Sequence, residues 1–169
     1  HWFLKFWNIW YGTVHFIVTP LALALMYRRA PQRFRRWRNA IFLTSGLALV
    51  GYSTFPLMPP RLLNEPPSRM GAGAENAPVG PGSLAKEDYG FVDTMSRFGG
   101  LWSFDDKAIQ DLSNQYAAMP SLHFGWSAWC ALALVPVVQR RWLRVLLATY
   151  PWITLFAIIV TANHYWLDA

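Results

Sequence analysis

Four long apolar segments constrain this chain more than any other feature of its sequence. They cover residues 4–26, 40–57, 119–138 and 145–160, and about 20 apolar residues are enough for a helix to cross a bilayer. Hydrophobic residues make up 54% of the chain and charged residues only 14%, which is unusual for a soluble domain. Because lipid cannot satisfy backbone polar groups, such segments form helices. The sequence therefore predicts an all-α fold, a polytopic transmembrane helix bundle.

The positive charge of the chain is concentrated in two turns between these segments. Arg28, Arg29, Arg33, Arg35, Arg36 and Arg38 lie in the first turn, and Arg140, Arg141 and Arg144 lie in the second. Arginines between apolar segments are typical of cytoplasmic loops. We therefore expect a multi-pass protein of the cell membrane and no nucleic-acid partner, although the formal net charge is +6.

Residues 59–117 form a long connector between the second and third predicted spans. Its first half is rich in proline and glycine and predicts irregular backbone. Residues 89–112 have spaced apolar positions that suit one or two short helices on the membrane surface. These helices could be a lid over a cleft or a simple cap on the bundle, and the sequence leaves both alternatives open. The prediction is one membrane domain, residues 1–169, with a further span starting at residue 164.

The predicted topology brings polar residues from separate spans to one face of the membrane. If both arginine-rich turns are cytoplasmic, the connector and the segment around residue 164 lie on the extracytoplasmic side. The connector itself has five basic and eight acidic residues, so it does not oppose this orientation. The candidate site residues at that face are Arg61, Ser121, His123, His164 and Asp168.

The stretch Pro120-Ser121-Leu122-His123 predicts the first turn of a helix. Proline suits the first helical position because its φ is already set and it has no N–H to leave unpaired. Free backbone N–H groups, a serine hydroxyl and a histidine together form a pocket for a phosphate oxyanion. The alternative is an ordinary N-cap serine with a histidine at the membrane interface.

His164 and Asp168 are four residues apart, so on a helix they would share one face. A carboxylate that accepts a hydrogen bond from one imidazole N–H fixes the tautomer and leaves the other nitrogen available as a nucleophile or base. His123 could then protonate the leaving group, and the planar guanidinium of Arg61 could hold the phosphoryl oxygens. This set of residues predicts phosphoryl transfer through a phosphohistidine, with no metal and no cofactor.

Several alternatives stay open at this point. His164 and Asp168 could be a structural pair or two metal ligands, and His15 suits a hydrogen bond to a neighbouring helix better than catalysis. The whole protein could be a non-catalytic membrane protein that binds phospholipid headgroups. A histidine-ligated metal or haem protein is a third class.

Three stretches of the chain resemble the motifs of the type 2 phosphatidic acid phosphatase superfamily. Met119-Pro120-Ser121-Leu122-His123 is similar to the Pro-Ser-Gly-His motif, and the stretch from Asn163 to Asp168 is similar to the His-x-x-x-Asp part of the last motif. Pro59-Pro60-Arg61 resembles the first motif, Lys…Arg-Pro, only through its arginine.

The resemblance implies a role for each matching residue. His164 would be the nucleophile, Asp168 its orienting carboxylate and His123 the acid–base partner. Arg61 and Ser121 would bind phosphate. The substrate would be a phospholipid or another lipid phosphate.

The chain also departs from the superfamily pattern at three phosphate-binding positions. Thr54 stands where the first motif has lysine, and Ala157 and Ile158 stand where the third has serine and arginine. The pattern Pro-Pro-Arg, Pro-Ser-Leu-His and Asn-His-Tyr…Asp looks more like the branch of inositol phosphorylceramide synthases and their bacterial relatives. In that branch an alcohol replaces water as the group that attacks the phosphohistidine, so the resemblance implies an alcohol or polyol acceptor. We therefore expect a lipid phosphatase or phosphotransferase, with headgroup transfer favoured.

Overall fold

The computed structural model describes residues 2–55, 57–63, 92–99 and 119–169. Within these parts the chain is helical and has no strand, so the predicted all-α class is confirmed. The elements are α1 (Trp2–Arg29), α2 (Pro31–Thr54), a 3-10 turn at Pro60–Leu62, α3 (Thr94–Phe98), α4 (Leu122–Leu134), α5 (Arg141–Val160) and a 3-10 turn at Trp166–Asp168.

Helix α2 begins well before the predicted span 40–57 and includes the arginine-rich stretch. Pro31 stands in its first turn, where a missing N–H costs nothing, and arginine is a good helix former. The helix ends at Thr54, and the next residue, Phe55, precedes Pro56 in the sequence. A residue before proline is disfavoured in the α conformation.

Helix α4 is shorter than the span predicted at 119–138. It has 13 residues, or about 20 Å at 1.5 Å per residue. The prediction that Pro120 opens the helix was wrong, because Ser121 has an extended backbone and is the N-cap residue. The Met119–Pro120 peptide bond is cis.

Helix α5 ends in a Schellman motif that turns the chain toward the candidate site. The N–H of Ala162 donates to Ile159 O at 2.9 Å, and the N–H of Asn163 donates to Ile158 O at 3.1 Å, which is the hydrogen-bond pattern of that motif. Ala162 has a φ of 55°, in the left-handed region that glycine usually occupies. The helix predicted to start at His164 does not form in the described chain. A bend leads instead to the 3-10 turn at Trp166–Asp168.

Helices α1 and α4 lie at the centre of the assembly, because they contact each other and each also contacts α2 and α5. Two indole N–H groups connect α4 to α2: Trp126 donates to Ser45 Oγ at 3.0 Å and Trp129 donates to Trp37 O at 2.8 Å. The buried apolar core comprises Ala22, Met26, Ala30, Ile41, Trp129, Cys130, Ala133, Leu134 and Tyr150.

The four long helices alternate in direction. Polar residues from different helices are therefore grouped at the two ends of the bundle. The α1–α2 turn and the start of α5, with their arginines, lie at one end of the assembly. The start of α4 and the end of α5 lie at the other end, with His123 and His164. Helices α1 and α5 are long and apolar enough to cross a membrane, and among the described helices they are the two that meet this test.

Of the connector, the structure describes residues 57–63 and 92–99. The irregular segment predicted in its first half, and most of residues 89–112, lie outside the described residues. One short helix, α3, does fall inside the range predicted to contain short helices. Its Met95 side chain is 1% exposed, so α3 is packed against the bundle.

Replacing Ala162 by glycine should stabilise the protein, because glycine adopts the left-handed conformation without a Cβ penalty. We expect the free energy of unfolding to rise by about 0.5–1 kcal/mol, measured as a shift in the thermal unfolding midpoint in detergent. The matched control is Ala157→Gly, inside α5 and fully buried, which should lose about 1 kcal/mol. Equal destabilisation by both substitutions would contradict the role given to Ala162.

Candidate active site

Two backbone hydrogen bonds join the three stretches that contain the predicted site residues. The N–H of Ser121, before α4, donates to Asp168 O at 2.7 Å. The N–H of Arg61 donates to Ala162 O at 2.9 Å. Segments far apart in the sequence are therefore held together by main-chain contacts, whatever their side chains do.

His164 and Asp168 are brought together even though no α-helix joins them. His164 Nδ1 lies 3.5 Å from Asp168 Oδ2, and the two residues are 5% and 3% exposed. The same carboxylate oxygen accepts a 2.7 Å hydrogen bond from the N–H of Tyr165. The tight turn thus achieves the pairing that the sequence predicted from helical spacing, by a different backbone path.

Ser121 contacts the other nitrogen of the same imidazole. Its Oγ lies 3.4 Å from His164 Nε2 and also accepts a 3.4 Å hydrogen bond from the N–H of Phe124. The serine is therefore an N-cap, as in the simpler of its two interpretations, and it also faces the histidine. These contacts are longer than strong hydrogen bonds, and catalytic contacts commonly tighten when substrate binds.

The neighbours of His164 favour one tautomer of its ring. A carboxylate oxygen such as Asp168 Oδ2 can only accept a hydrogen bond, so the Nδ1 atom facing it is the donor. The Ser121 hydroxyl accepts from the backbone on one side and can donate its own proton to Nε2. In this arrangement Nε2 has a lone pair, which is the state a nucleophile requires.

His123 lies on the first turn of α4 with its ring 5.9 Å from the ring of His164, centroid to centroid. Two rings of α1 contact it. Tyr11 stacks on it at 4.1 Å with 24° between the planes, and His15 meets it at 4.3 Å and 74°. His15 thus meets α4 through ring contacts rather than through the predicted hydrogen bond.

Arg61 is buried at 5% exposure in the 3-10 turn Pro60–Leu62. Its Nη1 lies 3.3 Å from Asp93 Oδ2, and the same aspartate accepts from the N–H of Met95 at 3.0 Å through Oδ1. The ion pair connects the first motif to the segment before α3. A carboxylate on a guanidinium fixes its direction and lowers its rotamer freedom.

Helix α3 is attached to the site end of the bundle by a buried polar network. The Thr94 hydroxyl donates at 3.0 Å to Thr161 O or to Asn8 Oδ1, and Asn8 Nδ2 donates to Thr94 O at 2.8 Å. Asn163 in turn donates to Thr161 Oγ1 at 2.8 Å. The network reaches from α1 through α3 to the residue before His164.

Helix α2 supports the other side of the site through Pro120. The Tyr52 hydroxyl donates to Pro120 O at 2.7 Å. A Cβ at Gly51 would lie 3.0 Å from Pro120 Cδ, so glycine is what permits this close approach. The residue before Ser121 is therefore held by α2.

The pKa of the Tyr165 phenol is raised, first by burial and second by the negative charge of Asp168. The phenol therefore stays neutral at neutral pH.

Sequence reasoning missed the contribution of α1 to this site. Tyr11, Asn8, Asp93 and Thr94 lie outside the motif-like stretches. A signal was present, because the buried positions of α1 recur every three or four residues and include polar side chains. They are Asn8, Gly12, His15, Thr19, Ala22 and Met26.

Within the described parts of the chain, no group of three or more His, Cys, Asp or Glu side chains is placed to hold a metal ion. Of the predicted site residues, His164 contacts Asp168 and Ser121 and lies near His123, and Arg61 is joined to Ala162 through its backbone. Imidazole, hydroxyl and guanidinium groups can serve in acid–base, nucleophilic and anion-binding roles.

Comparison with known proteins places the chain in a family. No curated protein and no solved structure matches it. A family model described as PAP2 superfamily matches residues 1–169, the whole chain. This is the superfamily whose motifs the sequence resembles, and the chain belongs to the PAP2 superfamily.

Proposed function

We propose that this protein is a multi-pass membrane enzyme that cleaves or exchanges a phosphate ester on a lipid through a phosphohistidine at His164. Membership of the PAP2 superfamily indicates a phosphatase or phosphotransferase. The observation that carries the finer proposal is the His164 ring, with Nδ1 facing Asp168 and Nε2 facing Ser121. The roles below rest on that geometry and on the motif resemblance.

In the first step His164 Nε2 attacks phosphorus, so that a P–N bond forms and the bond to the leaving oxygen breaks. His123 donates its proton to that oxygen. Asp168 holds the proton on Nδ1 and stabilises the positive charge that develops on the ring. Arg61 and the N-terminal turn of α4 with Ser121 bind the phosphoryl oxygens.

In the second step His123 accepts a proton from the acceptor hydroxyl, which attacks phosphorus. The P–N bond breaks and His164 recovers its lone pair. Water as acceptor gives phosphate release, and an alcohol or polyol gives headgroup transfer. No step requires a metal or a cofactor.

A membrane setting is supported by the apolar side chains that the helices expose. Helices α1 and α5 qualify as membrane spans, and α2 also exposes large apolar side chains. Those of α2 are Phe42, Leu43, Leu47, Leu49 and Val50, each at least 59% exposed. We infer that 1–169 is one membrane domain with four spans, near 4–26, 40–57, 119–138 and 145–160.

The arginines support an orientation with the site on the extracytoplasmic side. They collect at the end of the bundle opposite His123 and His164, and positive charge favours the cytoplasmic face. A site at that boundary suits an amphiphile, because the acyl chains stay in the bilayer while the phosphate reaches the histidines. We therefore propose that the enzyme acts in the cell membrane.

We favour transfer over hydrolysis because three basic or hydroxyl ligands of the superfamily pattern are replaced. Thr54, Ala157 and Ile158 occupy those positions. Assays with and without an added polyol test this preference. Phosphorylated polyol would support transfer, and inorganic phosphate at an unchanged rate would support a phosphatase.

The His164→Ala substitution should lower turnover of lipid phosphates and phospholipids by at least about 1,000-fold, because the proposed covalent intermediate forms on the His164 ring. Wild type incubated with phosphorus-labelled lipid and quenched in alkaline denaturant should contain label on His164 that is stable in alkali and lost in acid. Both assays are made in detergent with EDTA, which also tests metal independence. The matched control is His15→Ala, which should keep the label.

Two outcomes contradict the mechanism. Turnover that survives His164→Ala would exclude His164 as nucleophile, and turnover abolished by EDTA would require a metal. Absence of turnover on a broad lipid panel, with phospholipid binding unchanged in the variant, would favour a non-catalytic protein that binds phospholipid headgroups.

The Asp168→Asn substitution should lower kcat by about 10²–10⁴-fold with KM changed less than about threefold. The amide keeps the shape but loses the charge that fixes the His164 tautomer. Because Asp168 also accepts from the Tyr165 N–H, thermal unfolding of the variant is measured alongside. An unchanged kcat in a folded variant would show that Asp168 has only a structural role.

A further inference from the structure

Tyr11 is the residue in closest ring contact with His123, yet it belongs to none of the three motif-like stretches. The ring centroids are 4.1 Å apart and the planes differ by 24°, so the phenol lies flat on the imidazole. Tyr11 is also 6.4 Å from the His164 ring. One aromatic ring of α1 therefore touches one proposed catalytic histidine and lies near the other.

We propose that Tyr11 is a positioning residue that stabilises the protonated form of His123 by a cation–π contact. This inference rests on the proposed function, in which His123 alternates between imidazolium and imidazole. An aromatic face attracts a cation within about 6 Å of its centroid, and more strongly where water is excluded. The stacked geometry meets that condition for His123.

The contact acts on the first chemical step. His123 must carry a proton when it meets the leaving oxygen, and a ring that favours the imidazolium keeps that proton available to higher pH. His15 approaches the same imidazole at 74° from another position on α1. Together the two rings of α1 limit the rotation of the His123 ring. The contact with the face of Tyr11 is the one that favours the imidazolium form of His123.

Other titratable groups also face this imidazole or its neighbours. His15 comes from α1, His164 from the C-terminal stretch, and Tyr150 of α5 lines a cavity of about 10 Å³ shared with His15 and His123. Tyr52 of α2 donates to Pro120 O, and Arg61 lies in the 3-10 turn that is bonded to Ala162. A test must therefore change the ring at position 11 while leaving these groups as they are.

A graded series at position 11 meets this requirement. Tyr11→Phe keeps the aromatic face and removes the phenol, so that its ionisation cannot enter the pH profile. We expect kcat/KM within about threefold of wild type. Mono-, di- and trifluorophenylalanine at the same position then withdraw electron density from the face at nearly constant shape.

Each added fluorine should move the alkaline limb of kcat/KM to lower pH, because a weaker face stabilises the imidazolium less. Across the series we expect a total shift of about 0.5–1 pH unit, with KM nearly constant. Tyr11→Leu should lower kcat by about 10-fold or more. If that variant fails to fold, the fluorinated series still decides the question.

The matched control is the same series at Tyr27, on the same helix but 65% exposed, where no shift is expected. In a His123→Asn background the residual activity should not respond to fluorination at position 11. A fluorine series with an unmoved alkaline limb would overturn the proposal and leave Tyr11 as packing alone. That result is distinct from failure of the proposed function, in which wild type itself would show no His164-dependent turnover.

Discussion

The site depends on a main-chain hydrogen bond between two stretches that are far apart in the sequence. Ser121 N–H donates to Asp168 O at 2.7 Å, which joins the start of α4 to the chain after α5. The side-chain contacts of His164 lie on either side of this bond, with Asp168 on one nitrogen and Ser121 on the other. A hydrogen bond between backbone groups does not depend on which side chains are present. It therefore fixes the distance between the two chain segments from which Ser121, His164 and Asp168 project.

The turn that leads into this bond explains why the His164–Asp168 pair does not need a helix. The Schellman motif at the end of α5 reverses the chain at Ala162, and Arg61 N–H bonds to the same residue's carbonyl. The chain is thereby fixed on both sides of His164. Buried backbone polar groups cost free energy when they are unpaired and have a defined direction when they are paired. This suits a site that must hold the two ring nitrogens of His164 in defined directions.

Helix α1 contributes to the site without containing any motif. Its buried stripe is partly polar, with Asn8 bonded to Thr94 and His15 against His123. In an apolar helix, a polar residue that faces the bundle needs a partner, because lipid offers none. The residues of α1 that look anomalous for a membrane span are therefore those that meet the connector and α4.

The sequence by itself determined the helical class, because long apolar segments have few other ways to satisfy their backbone. It also determined the family, because Pro-Ser-Leu-His and His-x-x-x-Asp are short motifs with fixed spacing that can be recognised in the sequence without a structure. It predicted the residues that come together, including His164 with Asp168, although it assigned that pair to the wrong local backbone. The helix start at Pro120 was likewise misjudged, since a proline suits both a first turn and the residue before an N-cap.

Only the tertiary structure decided how α1, α3 and the Asp93 segment meet the motif stretches. Stacking of Tyr11 on His123, and pairing of Arg61 with Asp93, join residues of helices and loops whose relative rotation no local pattern encodes. Periodicity identifies which face of α1 is buried, but not which helix it faces. Which helix the buried face of α1 contacts depends on the packing of all the helices together. That packing also determines which side chains surround the histidines.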